Sequence, residues 1–140
     1  MEKNTKTPVE ILLVEDDEID IQNVHRAFGK TSIPVNIHIA RNGIEALDKL
    51  YAKDKEGRFN LIPQLIVLDI NMPMMNGVEF LTHLRATSIF DNTKVLVLTT
   101  SDNPKDKLNV FHLNVDGYIT KPIQAKELMD FFDNIGWELS

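Results

Sequence analysis

A run of four apolar residues, Leu65 to Leu68, leads into a single carboxylate, Asp69. A continuous apolar run of this length is typical of a strand buried on both faces of a parallel sheet. Met72-Pro73 and Asn76-Gly77 are strong turn signals, so the strand is expected to end at Asp69. In open parallel sheets, ligands and chemistry lie just outside the carboxyl ends of the strands. Asp69 therefore stands where a reactive side chain is expected, although the position also suits a carboxylate that only caps the next helix.

The composition limits the classes of function open to this chain. Its 140 residues, 43% hydrophobic and 26% charged, are enough for one domain with a full core. A net charge of −6 argues against general nucleic-acid binding, and the absence of cysteine excludes disulfides and thiolate metal sites. No apolar run approaches the roughly 20 residues of a membrane span, and segment 1–8 lacks the apolar core of a signal peptide. We expect a cytoplasmic protein with a flexible segment over residues 1–8 and one domain over residues 9–140.

Four more segments are predicted to be strands, and helical patterns separate them. The strands cover residues 9–14, 33–40, 94–99 and 116–120, with Pro34 indicating a sheet edge. Five helices are predicted: near residues 18–29, from Asn42-Gly43, from about residue 77, over 103–113, and after Pro122. In the second helix, the residues expected to face inward are Ala46, Leu47, Leu50 and Tyr51. In the last helix, the residues expected on one side are Leu128, Phe131, Phe132 and Ile135. Strands alternating with helices imply a parallel sheet with helices on both faces. Periodicity leaves the strand order open.

Polar side chains follow the strands at the ends that a parallel sheet brings to one edge. They are Glu15, Asp16 and Asp17 after the first strand, Asp69 at the third, Thr99, Thr100 and Ser101 at the fourth, and Lys121 after the fifth. Clustered carboxylates repel one another and tolerate ionisation only beside a cation, and a partly hydrated oxygen pocket suits Mg²⁺. A lysine and a hydroxyl beside them would stabilise negative charge on a transferring phosphoryl group, with Asp69 as nucleophile.

Taken singly, each of these groups has an ordinary structural interpretation. Residues 15–17 can be a solvated cap at a helix N-terminus, residues 99–101 an ordinary strand end, and Lys121 a surface lysine. Their joint occurrence at matching strand ends is much less expected by chance. The four histidines (His25, His38, His83 and His112) show no ligand spacing and are predicted to lie at the surface or its boundary.

Five blocks of this sequence resemble the receiver domains of bacterial two-component response regulators. They are I-L-L-V-E-D-D-E at residues 11–18, L-I-V-L-D-I-N-M-P at 65–73, M-N-G-V-E-F-L at 75–81, V-L-V-L-T-T-S at 95–101 and G-Y-I-T-K-P at 117–122. The blocks follow the family's order and span essentially the whole chain. The resemblance implies a flavodoxin-like, doubly wound α/β fold with five helices and a five-stranded parallel sheet of order 2-1-3-4-5.

The resemblance also implies a phosphoacceptor and a metal site. Asp69 would accept a phosphoryl group from the phosphohistidine of a sensor histidine kinase. Glu15, Asp16 and the backbone carbonyl of Asn71 would hold Mg²⁺ together with Asp69. Asp17 lies one place beyond the family's acidic pair and is expected only to cap the following helix. The protein would then catalyse only its own phosphorylation and dephosphorylation and would not otherwise be an enzyme.

The remaining implied roles concern what senses the phosphoryl group. Thr99 would form a hydrogen bond with it, Lys121 would pair with one of its oxygens, and Tyr118 would rotate inward as Thr99 moves. The Lys121–Pro122 bond is expected to be cis, an isomer accessible because proline follows. The surface near the fourth predicted helix, the fifth strand and the fifth predicted helix would change with phosphorylation and form the output.

Several departures from the common family pattern bear on the partners. The connection 51–64 is longer and more charged than usual, which resembles the stand-alone receivers of phytochrome-type histidine kinases, although a solvated insertion without a role is the alternative. Asn114 replaces a usual small residue and can adopt a left-handed conformation. With no output domain in the sequence after residue 140, the expected effect passes through a protein contact or phosphoryl relay. Phe131, Phe132 and Trp137 either complete the core or support a homodimer through the last helices.

Three other functions are alternatives to a phosphorylated receiver, and each requires sequence features that can be compared with this chain. A flavodoxin-like cofactor binder needs a phosphate-binding loop after the first strand, where this chain has three carboxylates. A receiver-fold interaction module that acts without phosphorylation usually lacks an acid, the threonine or the lysine, all of which are present here. A haloacid dehalogenase type of hydrolase needs a second aspartate two residues after the nucleophile, and Asn71 stands there.

Overall fold

The computed structural model describes residues 7–70, 75, 77–100 and 114–137. Five strands follow in chain order: β1 (Val9–Val14), β2 (Val35–Ala40), β3 (Leu65–Asp69), β4 (Lys94–Thr99) and β5 (Gly117–Thr120). The helices are α1 (Glu18–Gly29), α2 (Gly43–Tyr51), α3 (Gly77–Arg85), the short 3₁₀ helix Ser88–Phe90, and α4 (Ala125–Asn134). The helix predicted over 103–113 lies outside the described residues, which contain four of the five predicted α-helices.

The five strands form one parallel sheet of order β2-β1-β3-β4-β5, which confirms the predicted topology. β3 lies at the centre and all five of its residues are buried, as the apolar run predicted. Its register pairs Leu68 with Val14 of β1 and Asp69 with Leu98 of β4. The carboxyl ends of β1, β3 and β4 therefore lie side by side. β2 is an edge strand, as Pro34 indicated.

Side chains alternate between two core layers, one on each face of the sheet. One layer packs strand residues such as Leu12, Ile66 and Val97 against α2 and α3. The other packs residues such as Leu13, Val67 and Leu96 against α1 and α4. Each apolar side chain buried in these layers contributes about 1.5–3 kcal/mol relative to exposure to water. The sheet is thereby held rigidly enough to position groups at its edge.

The helix starts follow the predicted capping residues. The Asp17 carboxylate accepts hydrogen bonds from the backbone N–H groups of Ile19 and Asp20 at 2.8 and 3.1 Å, so its predicted role as the cap of α1 is confirmed. Asn42 caps α2 by accepting a hydrogen bond from the backbone of Glu45 at 2.8 Å. Both caps fix helices that begin at the carboxyl edge of the sheet.

The charged connection before β3 is an ordered hairpin rather than an open loop. Lys53 and Phe59 form an antiparallel bridge, and the Asp54 carboxylate accepts hydrogen bonds from the backbone N–H groups of Glu56 and Arg58, both at 2.9 Å. The Phe59 ring meets Phe90 edge-on, with centroids 6.0 Å apart. The hairpin is therefore attached to the core through an aromatic contact.

The prediction that Tyr51 faces inward is wrong, because its side chain is 40% exposed. Tyr51 is the last residue of α2, where the ring lies against Phe90 with centroids 6.1 Å apart. Its hydroxyl lies 3.1 Å from the Thr87 hydroxyl, and this polar contact keeps the tip of the ring at the surface. The other predicted inward positions of α2 are buried or partly buried.

The C-terminal aromatic residues pack within the chain. Phe131 and Phe132 are buried, in agreement with the prediction that they complete the core. The Trp137 ring stacks on Phe132 at a centroid distance of 5.5 Å, and Phe132 also contacts Phe28 of α1. Trp137 thus covers the α1 and α4 layer of its own core.

Candidate functional site

The predicted site residues converge at the carboxyl edge of the sheet. Asp69 is the last residue of β3, and Glu15 directly follows β1. Thr99 ends β4 and pairs in register with Thr120 of β5, so the next residue, Lys121, lies beside the end of β4. The backbone N–H of Lys121 donates to the Thr99 carbonyl at 2.8 Å. Parallel pairing therefore brings together residues far apart in the sequence, such as Glu15 and Lys121, which are more than 100 positions apart.

Three carboxylates form a compact cluster at this edge. Glu15, Asp16 and Asp69 each offer an oxygen, and these oxygens all lie within 4.8 Å of one another. Glu15 and Asp69 are buried, whereas Asp16 is exposed. The cluster is thus reached from solvent on the Asp16 side.

The Lys121 ammonium lies among these carboxylates. Its Nζ is 2.9 Å from Glu15 Oε1, 3.3 Å from Asp69 Oδ2 and 2.8 Å from Asp20 Oδ2. The side chain of Lys121 is only 10% exposed, so the predicted alternative of an ordinary surface lysine does not hold. An ammonium group has three N–H donors, and three carboxylates surround this one.

Burial and charge shift the pKa values at the site in predictable directions. Burial raises the pKa of the Glu15 carboxyl to about 7; the Lys121 ammonium opposes this shift, and the neighbouring Asp69 carboxylate adds to it. Burial alone would lower the pKa of Lys121, but hydrogen bonds to Asp20 and Glu15 and the charge of Asp69 outweigh it and raise the pKa above its usual value. Lys121 is therefore a permanent cation, whereas Glu15 carries a destabilised negative charge.

The donor set fits a hard divalent cation. Glu15 Oε1 is fully buried and forms an ion pair with the Lys121 ammonium 2.9 Å away. Glu15 Oε2 accepts a hydrogen bond from the backbone N–H of Asp17 at 3.2 Å, which orients the carboxylate. Three carboxylates whose oxygens lie this close together provide the hard oxygen ligands that Mg²⁺ or a similar ion prefers. The fourth predicted ligand, the carbonyl of Asn71, lies outside the described residues.

The two predicted switch residues differ in their surroundings. Thr99 is buried at the end of β4, next to the strand that carries Asp69. Tyr118, on β5, is partly buried against the α2 and α3 layer. The Lys121–Pro122 bond is cis and Asn114 has a φ of 58°, which confirms both backbone predictions. Ser101 lies outside the described residues.

Asp20 is a site residue that the sequence reasoning missed. It lies in the first turn of α1 and makes the shortest of the three carboxylate contacts to Lys121, with hydrogen-bond geometry. The signal available was its position, an acidic residue three places after the Asp17 cap. Its partner lies 101 positions away, so that position alone could not reveal the contact.

Three of the four histidines lie at the surface, as predicted. His25, His38 and His83 are exposed on three different elements, and His38 pairs with Glu10 at 2.8 Å across β1 and β2. His112 lies outside the described residues.

Comparison with known proteins defines the class to which this fold and site belong. The family model of the response regulator receiver domain matches residues 11–133, and the chain belongs to this family. It is 31% identical over 137 residues to the response regulator Rcp1 of Synechocystis sp., an alignment that covers 96% of this chain and 91% of Rcp1. The chain thus carries the receiver of two-component signalling.

Solved structures show the same likeness. A two-component response regulator from Legionella pneumophila is 48% identical with a TM-score of 0.77, covering 89% of this chain and 95% of that one. The phosphorylated cyanobacterial phytochrome response regulator RcpA is 30% identical with a TM-score of 0.74, covering 92% and 91%. The Mn²⁺-bound form of Rcp1 is 31% identical with a TM-score of 0.73, covering 95% and 99%. None of the helices in the described residues is long and apolar enough to cross a membrane.

Proposed function

We propose that this protein is a response regulator whose receiver residue Asp69 accepts a phosphoryl group from the phosphohistidine of a sensor histidine kinase. The observation that carries the proposal is the joint placement of Asp69 with Glu15 and Asp16 within 4.8 Å and with the Lys121 ammonium at 3.3 Å. A nucleophilic carboxylate, an acidic pair for a cation and a fixed positive charge are the parts that phosphoryl transfer requires.

In the proposed transfer, a carboxylate oxygen of Asp69 attacks the phosphorus atom of the phosphohistidine. The new P–O bond forms while the P–N bond to the kinase histidine breaks, and the imidazole leaves with the electron pair and takes up a proton. Lys121 is placed to pair with an oxygen of the arriving group, and Thr99 offers a hydroxyl at the neighbouring strand end. The site excludes much of the surrounding water because Asp69 and Thr99 are buried.

We assign the metal-binding role to Glu15, Asp16, Asp69 and the backbone carbonyl of Asn71. The clustering of the three carboxylates, whose oxygens lie within 4.8 Å of one another, supports this assignment, as does the Mn²⁺ bound to the related Rcp1. A bound Mg²⁺ supplies positive charge that offsets the repulsion among the carboxylates and the phosphoryl oxygens. Asp16, the exposed member, is the ligand that an arriving ion would meet first.

Phosphorylation would act on the rest of the molecule through Thr99, Lys121 and Tyr118. The phosphoryl group adds negative charge and strong acceptor oxygens, which can draw Thr99 and Lys121 toward Asp69. Tyr118 follows on β5, next to the strand that ends in Thr99. The resulting change at the β5 and α4 surface would be recognised by a downstream protein, or the phosphoryl group would be relayed to a phosphotransfer protein.

The proposed donor is a phytochrome-type histidine kinase in the cytoplasm. The likeness to the phytochrome response regulator RcpA supports this choice, as does the long, charged connection over residues 51–64. Transfer from the purified, autophosphorylated kinase, followed by radiolabel in red and far-red light, tests the assignment. The same transfer with a kinase of another sensor class is the control; equal rates with both kinases would contradict it.

A homodimer through α4 and the residues after it remains a prediction. Trp137 is stacked on Phe132 of its own chain, so its ring does not depend on a partner for cover. Sedimentation of the phosphorylated and unphosphorylated protein tests the prediction, and a monomer in both states would exclude the dimer.

Incubation with acetyl phosphate and Mg²⁺, followed by intact-mass measurement, tests the central proposal. The wild type should gain the mass of one phosphoryl group, Asp69→Asn should gain none, and the exposed control Asp48→Asn should behave as the wild type. No gain in the wild type, or an equal gain in Asp69→Asn, would show that Asp69 is not the acceptor.

A further inference from the structure

We propose that Asp20 is a positioning residue that keeps the Lys121 ammonium beside Asp69 before, during and after phosphorylation. The Lys121 Nζ to Asp20 Oδ2 distance of 2.8 Å is shorter than its distances to Glu15 and Asp69. The Asp20 side chain is 24% exposed and the lysine 10%, so the pair is shielded from most of the solvent. The part of this proposal that concerns phosphoryl transfer rests on the proposed function above.

A lysine at this position needs a holder because its side chain is long and flexible. Fixing a lysine side chain in one conformation costs rotamer entropy. If that cost arose only when the phosphoryl group arrived, it would weaken the interaction of Lys121 with the group. A contact made in the resting protein places the ammonium in advance.

The three carboxylates around Lys121 differ in what the reaction does to them. Glu15 and Asp69 belong to the carboxylate cluster, and Asp69 is also the proposed phosphoacceptor. In the working protein, the carboxylate oxygens of Glu15 and Asp69 that now lie near the ammonium would therefore also contact the proposed metal ion or carry the phosphoryl group. Asp20 lies outside that cluster of described residues, so its hold on Lys121 does not depend on the state of the acceptor.

Asp20 is itself fixed by the start of α1. Its backbone N–H donates to Asp17 Oδ1 at 3.1 Å, and the same oxygen accepts from Ile19 at 2.8 Å. The capped first turn sets the direction of the Asp20 side chain toward the end of β5. The Asp17 cap, which is structural, thus supports the placement of Lys121 indirectly.

The first experiment observes the Lys121 ammonium directly in the metal-free protein by ¹⁵N NMR, with no phosphorylation involved. A held, shielded ammonium exchanges its protons slowly and gives a resolved signal in the wild type. Asp20→Asn should lose that signal, whereas Glu18→Gln should retain it. Glu18 lies in the same turn, is exposed and pairs with Arg41 rather than Lys121, so its substitution removes a similar charge without touching the lysine. A wild type without the signal, or an Asp20→Asn signal unchanged from the wild type, would overturn the proposal.

The second experiment measures the rate of phosphorylation by acetyl phosphate at saturating Mg²⁺ in a double-mutant cycle. Asp20→Asn should slow the reaction about tenfold, the scale of one hydrogen bond to a charged group, while Glu18→Gln stays within about twofold. In the Lys121→Ala background, Asp20→Asn should have no further effect, because it acts through the lysine. An equal slowing in both backgrounds, or none in either, overturns the proposal. If the wild type is not phosphorylated at all, the proposed function fails while the NMR result still decides the role of Asp20.

Discussion

Among single residues, Glu15 carries a negative charge that burial disfavours. Its side chain has no exposed surface and lies beside two other carboxylates, with Lys121 as the neighbouring cation. Removing a carboxylate from water is opposed by desolvation, and a second negative charge nearby adds to the penalty. The residue therefore lowers the stability of the metal-free fold while providing a ligand for the cation that the site is proposed to bind.

The substitution Glu15→Gln should stabilise the metal-free protein at about pH 8 by about 1–3 kcal/mol. The pKa of Glu15 rises from 4.5 in an unfolded chain to about 7 in the fold, so the native state holds the extra proton between these values. The wild type should consequently lose stability as the pH rises from 4.5 to about 7, and the full penalty is present above that range. The glutamine variant should lack this loss.

Urea denaturation in the presence of a chelator, repeated across this pH range, measures the effect of Glu15→Gln. The exposed Glu18→Gln is the matched control and should follow the wild type at every pH. A glutamine variant that is less stable than the wild type at about pH 8 would contradict the assignment of Glu15 as a penalised buried charge.

At the scale of elements, β5 and α4 pack closely together at Gly117. A Cβ atom built on Gly117 would lie 2.7 Å from the Phe131 ring, inside any ordinary contact distance. Phe131 also packs on Phe132, so a movement of the ring to make room would disturb that contact. This close approach attaches the C-terminal helix to the edge strand that carries Tyr118.

Gly117→Ala should therefore destabilise the protein by about 1–3 kcal/mol, the usual cost of forcing extra volume into a packed core. Gly29→Ala is the control, because a Cβ at this position, at the end of α1, meets nothing within 4 Å. This substitution should leave the free energy of unfolding unchanged or raise it by up to about 1 kcal/mol. The two substitutions should change the free energy of unfolding, measured in urea, in opposite directions or by clearly different amounts. Equal effects of the two substitutions would mean that Phe131 yields to the added methyl group.

Elements whose signals are local were predictable from the sequence. β1, β3 and β4 have the predicted bounds because their apolar runs end at polar residues, and Asp17 and Asn42 cap α1 and α2 because short polar side chains satisfy free backbone N–H groups. The surface position of Tyr51 was not predictable, because it depends on contacts with Phe90 and Thr87, which lie in a distant part of the chain.

At the scale of the whole molecule, the site is a consequence of parallel topology. The rule that strand ends meet at one edge placed Glu15, Asp69, Thr99 and Lys121 together before any contact was known. The strand order itself came from the family resemblance, since periodicity carries no information about neighbours. The contact between Asp20 and Lys121 could not be predicted, because it depends on the distance between α1 and the end of β5.

The proposed metal binding would stabilise the entire fold, and Asp16 offers the cleanest test of it. A ligand that binds only the native state adds about 2.7 kcal/mol to the free energy of unfolding at 100 times its Kd. Mg²⁺ should therefore raise the stability of the wild type. Asp16→Asn should lose most of that increment while its metal-free stability stays within about 0.5 kcal/mol of the wild type, because Asp16 is exposed.

Paired urea titrations with Mg²⁺ and with chelator measure the increment for each variant. Asp48→Asn, an exposed aspartate on α2, should keep the full increment, which controls for the loss of one negative charge. An Asp16→Asn variant that keeps the wild-type increment would remove Asp16 from the metal site. The choice of Asp16 is decisive because Glu15 and Asp69 are buried, so replacing either one alters the stability of the metal-free fold and the binding of the ion together.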